Sequence, residues 1–140
     1  MASWQIGIGG FRELSRVLST ADKGLAKAMR AALKGAVGPV AAAARRNASW
    51  SSRIPGTVRP FATARSVGVR AGGRRAPHAR VYEGLGGAGS FRHPVFGNRN
   101  VWVTQSTRPF LMPAVEANAE GIVDDVFDAI DGVFVRSGFH

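Results

Sequence analysis

Apolar residues recur every three or four positions in the first third of the chain, which is the spacing of one buried stripe on a helix. They are Leu14, Leu18, Ala21, Leu25, Met29, Ala32, Ala36 and Val40. Residues 19–22 should break this region into a short and a longer helix, with Thr20 as the cap of the second. Gly38 and Pro39 should kink or divide the longer helix, because proline lacks the amide hydrogen that a helix requires.

Between residues 57 and 105 the pattern changes to short stretches of alternating apolar and polar residues. It predicts two strands within residues 57–70, a third over 79–83 and a fourth over 101–105, where Val-Trp-Val-Thr-Gln is the clearest strand pattern. The chain contains 18 glycines, many of them after residue 68. They predict long connections, namely a basic loop at 71–77 and a glycine-rich loop at 84–90.

A closing amphipathic helix should begin between Pro109 and Pro113, because proline is tolerated in the first turn of a helix. Its apolar stripe is Leu111, Val115, Ala119, Ile122, Val126, Ile130 and Val133, widened by a second row of Val123, Phe127 and Phe134. Its outer side carries Glu116, Glu120, Asp124, Asp128 and Asp131.

The order of these elements predicts one α+β domain over residues 1–140. A long N-terminal helix, broken near Thr20 and Pro39, and the C-terminal amphipathic helix would pack on a small sheet. That sheet is expected to be mostly antiparallel, with about four strands joined by long glycine-rich loops.

The net charge of +10 is unevenly distributed along the chain. Residues 1–80 carry fifteen Lys or Arg and two acids, a net charge of +13, whereas residues 81–140 carry four Arg and seven acids, a net charge of −3. This polarity suggests that the basic half meets nucleic acid or an acidic protein surface. It also allows copies of the chain to attract one another end to end.

Patterns that would support catalysis or cofactor binding are missing from the sequence. There is no cysteine, and the three histidines lie far apart without metal-ligand spacing. Residues 84–89 match GxGxxG, but the following Ser-Phe-Arg-His-Pro cannot open the helix that a dinucleotide site needs. We therefore expect no catalytic residues, no metal and no cofactor. The chain starts without a signal-peptide pattern and lacks an apolar run of membrane-spanning length, so a soluble intracellular product is expected.

The segment from Phe91 to Trp102 is unusually apolar for what should largely be a loop. Its large residues are Phe91, Val95, Phe96 and Trp102, and each aromatic side chain presents about 150–250 Å² of surface. One interpretation hides these side chains beneath the sheet. The other has the loop dock on a neighbouring subunit or partner, since a glycine-flanked loop is costly to order on its own.

The part of the chain from residue 91 to 120 resembles the tail-completion proteins of long-tailed bacteriophages, also called head-to-tail joining proteins. The resemblance lies in residues 93–99 (HPVFGNR), 102–105 (WVTQ) and 108–111 (RPFL), followed by Pro113 and Ala114. Over the N-terminal helix the order and polarity of elements agree more than the residues do.

This resemblance implies a structural subunit and not an enzyme. Members of the family are α+β domains that assemble as a ring, commonly a hexamer, between the capsid connector and the tail tube. The implied partners are copies of the chain itself, the adjoining connector or stopper ring, the tail terminator or tail tube protein, and phage DNA that passes without sequence recognition. The implied location is the neck of the virion, assembled in the cytoplasm of the bacterial host, with no membrane involved.

A ring requires a heterologous interface, in which one patch fits a different patch on the next copy. We expect its contacts from Phe91, His93, Val95, Phe96, Asn98, Arg99, Trp102, Arg74 and Arg75. A densely basic wall would retain duplex DNA. We therefore expect Glu116, Glu120, Asp124 and Asp128 to face the channel; an outward, solvated helix is the alternative. Two other functions stay open, a tail terminator that caps the tube and a basic nucleic-acid-binding module.

Overall fold

The fold is α+β, with helices packed on one face of a three-stranded antiparallel sheet. The computed structural model describes residues 2–7, 12, 13, 16, 20, 23–63, 65–84, 90–95 and 98–136. The elements in chain order are β1 (Ala2–Gly7), α1 (Lys23–Ala36), α2 (Gly38–Asn47), a 3-10 turn (Pro55–Thr57), β2 (Arg59–Ala62), β3 (Ser66–Ala71), α3 (Ala79–Glu83), β4 (Ser90–Val95), β5 (Asn98–Ser106) and α4 (Leu111–Arg136).

Strand β3 lies in the centre of the sheet, between β1 and β2. Its alternate residues Val67 and Val69 are fully buried against the helices, because successive side chains of a strand point to opposite faces. On the other face Arg70 is exposed, as are Ser3 of β1 and Arg59 of β2, which are its direct neighbours in the register. The sheet therefore has one face in the core and one open face.

Strand β1 approaches β3 so closely that only glycine fits at residue 68. Gly68 pairs with Gln5, and a methyl group added to Gly68 would press on the Trp4 carbonyl oxygen and lie 2.7 Å from Gln5 Cα. The missing side chain is thus what permits this close pairing of the two strands.

The predicted strands are partly confirmed and partly wrong. Strands β2 and β3 fall within residues 57–70 or end one residue beyond, and β5 contains residues 101–105. The strand predicted over 79–83 is instead helix α3, which ends at Gly84 with a left-handed φ of 98°. Strand β1 was not predicted from the sequence. The predicted sheet of about four strands is in fact a sheet of three with a separate two-stranded hairpin.

The predicted division of the N-terminal helix near Pro39 is confirmed. Helix α1 ends at Ala36 and α2 begins at Gly38, with Val37 in a turn between them and the proline in the first turn of α2. Thr20 does not cap in the predicted manner, because its hydroxyl donates to the Arg16 carbonyl oxygen, a bond typical of a residue inside a helix. The proposed break at residues 19–22 otherwise lies outside the described residues.

Helix α4 packs against α1 and α2 along most of the predicted stripe, with Leu111, Ile122, Val126 and Val133 buried. Ala119, which was assigned to the stripe, is exposed. The predicted widening of that stripe is wrong. Val123 and Phe127 remain exposed, and only Phe134 packs partly on the core. The two helices that receive α4 cover a narrower arc of its surface than its apolar residues span.

We predict that Gly68→Ala lowers the free energy of unfolding by about 1–3 kcal/mol, since the added methyl group forces β1 away from β3. Urea-induced unfolding followed by circular dichroism measures this change. Gly35→Ala is the matched control, because the space around Gly35 in α1 is open and alanine there should raise stability by about 0.5–1 kcal/mol. Equal effects of the two substitutions would contradict the steric explanation.

Candidate interaction surfaces

The start of α4 is held by a carboxylate from a distant part of the chain. Glu83, the last residue of α3, accepts three hydrogen bonds through its two carboxylate oxygens. Oε2 accepts from the amides of Phe110 and Leu111, both at 2.9 Å, and Oε1 accepts from the amide of Met112 at 2.8 Å. The first turn of α4 has no acidic residue of its own, so Glu83 supplies both the acceptors and the negative charge that a helix N-terminus favours.

Side chains around this cap fix the segment that leads into α4. The Arg108 guanidinium lies 4.5 Å from the Trp50 ring centroid, and the Trp50 ring lies 4.8 Å from that of Tyr82. The Arg108 amide donates to the Tyr82 carbonyl oxygen at 2.9 Å, while Asn47 Nδ2 donates to the Phe110 carbonyl oxygen at 3.1 Å. The run Arg-Pro-Phe-Leu therefore joins α2, α3 and α4.

Strands β4 and β5 form a β-hairpin, whereas the sequence predicted a strand over 101–105 and a loop before it. Strands β4 and β5 pair with each other in antiparallel register, with a shift between Pro94 and Val95. Proline is accepted here because both strands of a two-stranded sheet are edge strands. Ordering is thus achieved within one chain through backbone pairing.

One face of the hairpin is exposed and carries an aromatic and a basic side chain. Trp102 retains 47% of its accessible surface, and the Arg92 guanidinium lies 5.6 Å from its ring centroid. Arg92, Asn100, Thr104 and Ser106 are exposed as well. We call this surface the Trp102 face. For Trp102, burial beneath the sheet is ruled out; the other interpretation, docking on a partner, stays a prediction.

A groove at the edge of the open sheet face is bordered by arginines. Arg59, Arg70 and Arg75 line a cavity of about 370 Å³ together with Gly56, Thr57 and Gly72. An adjoining cavity of about 300 Å³ is lined by Arg53, Arg75, Gly56 and Thr57. We call the two together the arginine groove.

Thr57 shapes the floor of the arginine groove. Its hydroxyl accepts a hydrogen bond from the Gly72 amide at 2.9 Å and donates to the Ile54 carbonyl oxygen at 2.7 Å. The 3-10 turn is thereby tied to the end of β3, where Gly72 and Gly73 have left-handed φ values of 102° and 81°. These two glycines allow the turn that presents Arg74 and Arg75.

A second groove lies in the helical layer, between α4 and the junction of α1 with α2. Its volume is about 440 Å³, and its acidic residues are Glu116, Glu120 and Asp125. Ala36, Pro39 and Val40 form the opposite wall. We call it the acidic groove. Asp124 and Asp128 are exposed on α4 but do not line it.

The predicted interface residues fall in two separate parts of the fold, the hairpin and the turn after β3. Phe91, His93 and Val95 are on β4, Asn98, Arg99 and Trp102 are on β5, and Phe96 lies outside the described residues. Arg74 and Arg75 lie on the turn after β3, and only Arg75 lines a groove. The four acids expected in the channel are all exposed on α4, and their orientation toward a channel stays a prediction.

Sequence reasoning missed Glu83 and the grouping of Arg53, Arg59 and Arg70 with Arg75. Glu83 was read as the end of a strand, and its partners lie 27 to 29 residues away. Arg59 and Arg70 are direct partners across β2 and β3. A hairpin register drawn between the two predicted strands could have placed these arginines side by side.

No protein-family model, curated protein or solved structure matches this chain. In the part of the chain that the structure describes, His, Asp and Glu residues form no cluster suited to a metal ion. None of the described helices combines the length and apolar character needed to span a bilayer.

We predict that Glu83→Ala lowers the free energy of unfolding by about 2–3 kcal/mol, because three amides at the start of α4 lose a charged acceptor. Glu83→Gln should cost less, since its side-chain oxygen still accepts. Urea unfolding of both variants measures the difference. Asp131→Asn, an exposed acid near the other end of α4, serves as the control and should change stability by less than about 0.5 kcal/mol. An unchanged Glu83→Ala variant would contradict the capping role.

Proposed function

We propose that this protein is a structural subunit of the neck of a long-tailed bacteriophage or a phage-like particle. Copies of it would form a ring, expected to be a hexamer, that joins the tail to the head connector around the DNA channel. The proposal rests on the resemblance of residues 91–120 to tail-completion proteins and on the surfaces described above. It makes the protein a component of the virion that acts by binding neighbours, without a catalytic step.

The Trp102 face is the observation that carries the proposal. A tryptophan with 47% of its surface exposed on a two-stranded hairpin is costly to leave in water, and tryptophan and arginine are enriched among residues that dominate binding interfaces. Arg92 stacks near the ring, so the pair offers a flat apolar surface with a positive edge. Such a surface suits a partner subunit, either the next copy or an adjoining ring.

The exposed row on α4 supports the same conclusion. Val123 and Phe127 retain 52% and 60% of their accessible surface, next to the stripe that packs on α1 and α2. Two large apolar side chains on adjacent turns of one helix suit a surface that assembly covers. Assembly would cover both this row and the Trp102 face.

Two alternatives come from the sequence. A tail terminator would use the same surfaces at a neighbouring position in the tail. The arginine groove favours the second, a basic module that binds nucleic acid, since its arginines suit phosphate groups.

We predict that Trp102→Ala leaves the monomer folded and abolishes ring formation. Truncation removes the buried half of the ring as well as a cation–π contact, so the free energy of unfolding should fall by about 1–3 kcal/mol while the rest of the domain stays folded. Sedimentation velocity over a range of concentrations and negative-stain microscopy of the purified protein, alone and mixed with assembled tails, measure assembly. Adding Phe96→Ala should give the same result.

Thr104→Ala is the matched control, because Thr104 is exposed on the same face of β5 and lacks an aromatic ring. It should assemble as the unmodified protein does. Unchanged assembly of Trp102→Ala would contradict the role of the Trp102 face. Salt-sensitive binding of duplex DNA by a monomer that never forms rings would overturn the neck assignment in favour of the nucleic-acid module.

A further inference from the structure

The arginine groove holds like charges together, and the described residues place no counter-charge beside them. Arg59 and Arg70 are directly opposite on β2 and β3, an arrangement that destabilises a strand pair when both residues are cationic. Arg75 and Arg53 add two further guanidinium groups at the groove. In the described part of the chain no carboxylate forms an ion pair with any of these four arginines.

The acidic groove has the opposite character. Three acids of α4 line this groove, namely Glu116, Glu120 and Asp125, and they lie on successive turns of the helix. Residues four apart on a helix are separated by about 6 Å along its axis, so these carboxylates form a short row of negative charge. Among the described residues none of the three is ion-paired with a Lys or Arg.

The two grooves are placed so that one molecule can use both at once. The arginine groove belongs to the edge of the open sheet face, and the acidic groove belongs to the helical layer. Pro39 and Val40, at the beginning of α2, border the acidic groove, whereas the turn that contains Gly56 and Thr57 follows the other end of that helix. Arg45, in the last turn of α2, donates to the Val58 carbonyl oxygen, just after the 3-10 turn, at 2.8 Å. A helix of ten residues is about 15 Å long, so the two grooves lie at opposite ends of α2 and do not compete for a partner.

We infer that the arginine groove of one copy receives the α4 segment Glu116–Asp125 of the next copy. This inference rests on the proposed ring and identifies the two halves of its heterologous contact. The guanidinium groups of Arg59, Arg70 and Arg75 pair with carboxylates of the neighbouring helix, and arginine forms such pairs in bidentate geometry. Repeating the contact around an axis closes a ring if the rotation between copies permits it.

A second copy accounts for more of the observations than duplex DNA does. DNA phosphates could fill the arginine groove, but they would leave the acidic groove without a role. A second copy satisfies both grooves in one contact and in equal numbers, whatever the size of the ring. It also places acids between arginines that would otherwise repel each other across β2 and β3.

The inferred contact between copies gives different roles to the four acids that we expected, from the sequence, to face the channel. Glu116 and Glu120 line the acidic groove and are covered by the neighbour. Asp124 and Asp128 do not line the groove and stay available to face the DNA. Of the four acids expected to face the DNA channel, only Asp124 and Asp128 keep that role in this arrangement.

Charge reversal on each groove tests this inference. The first variant carries Arg59→Glu, Arg70→Glu and Arg75→Glu, which makes the arginine groove net negative, and the second carries Glu116→Arg and Glu120→Arg, which makes the acidic groove net positive. Each variant alone presents like charges on both sides of the contact, so self-association measured by sedimentation should weaken by about tenfold or more. Mixed in equal amounts, the two variants present opposite charges at every contact, and assemblies in which they alternate should form.

Two control variants change the net charge by the same amount away from both grooves. The control for the arginine variant carries Arg12→Glu, Lys27→Glu and Lys34→Glu, and the control for the acidic variant carries Glu13→Arg and Asp131→Arg; all five side chains are exposed. These variants should assemble as the unmodified protein does. Raising the salt concentration should weaken association of the unmodified chain, since salt screens exposed ion pairs.

The outcomes separate the inference from the proposed function. Rings of the unmodified protein that both groove variants still form would overturn the groove contact and leave the neck assignment standing. A mixture that fails to recover assembly would also overturn it. An unmodified chain that stays monomeric at every concentration, alone and with tails, would contradict both. Loss of DNA binding in the arginine variant, with assembly unaffected, would assign the groove to phosphate.

Discussion

The carboxylate of Glu83 is the interaction on which the arrangement of the helices depends. Helix α4 needs acceptors for its first amides, and Glu83 serves those of Phe110, Leu111 and Met112. The next residue, Pro113, has no amide hydrogen, so the unpaired donors of this helix end are fully accounted for. Because Glu83 also ends α3, the cap fixes where the longest helix starts relative to the sheet.

The capped start of α4 also determines how the neighbouring residues pack. Phe110 and Leu111 enter the core fully buried, and the rest of α4 then runs along α1 and α2. The same run, Arg-Pro-Phe-Leu, carries part of the resemblance to tail-completion proteins, and its role in the structure is packing and capping. The surfaces proposed to meet partners lie on either side of it, on the hairpin before it and on α4 after it.

The sequence predicted the elements whose signal is local and missed those that depend on distant partners. The buried stripe of α4 and the division at Pro39 follow from spacing and proline chemistry alone. Strand β1 needs β3 as a partner 59 to 69 residues away, and a stretch of six residues is too short to give a clear pattern. Residues 79–83 read as a strand because valine and tyrosine favour sheets, but they pair with none of the described strands. The arginine groove required the register of β2 with β3, which spacing along the chain does not reveal.

The Trp102 face and the two charged grooves would contribute differently to a ring. Complementary charges attract copies and select the correct neighbour, but they act over distance and tolerate a range of angles. A ring closes only if every contact repeats the same rotation, so the angle must be set by rigid, shape-dependent packing. The hairpin, held by backbone pairing and carrying a planar ring, supplies such a surface. Charge would therefore decide which faces meet, and the hairpin would decide how many copies complete the circle.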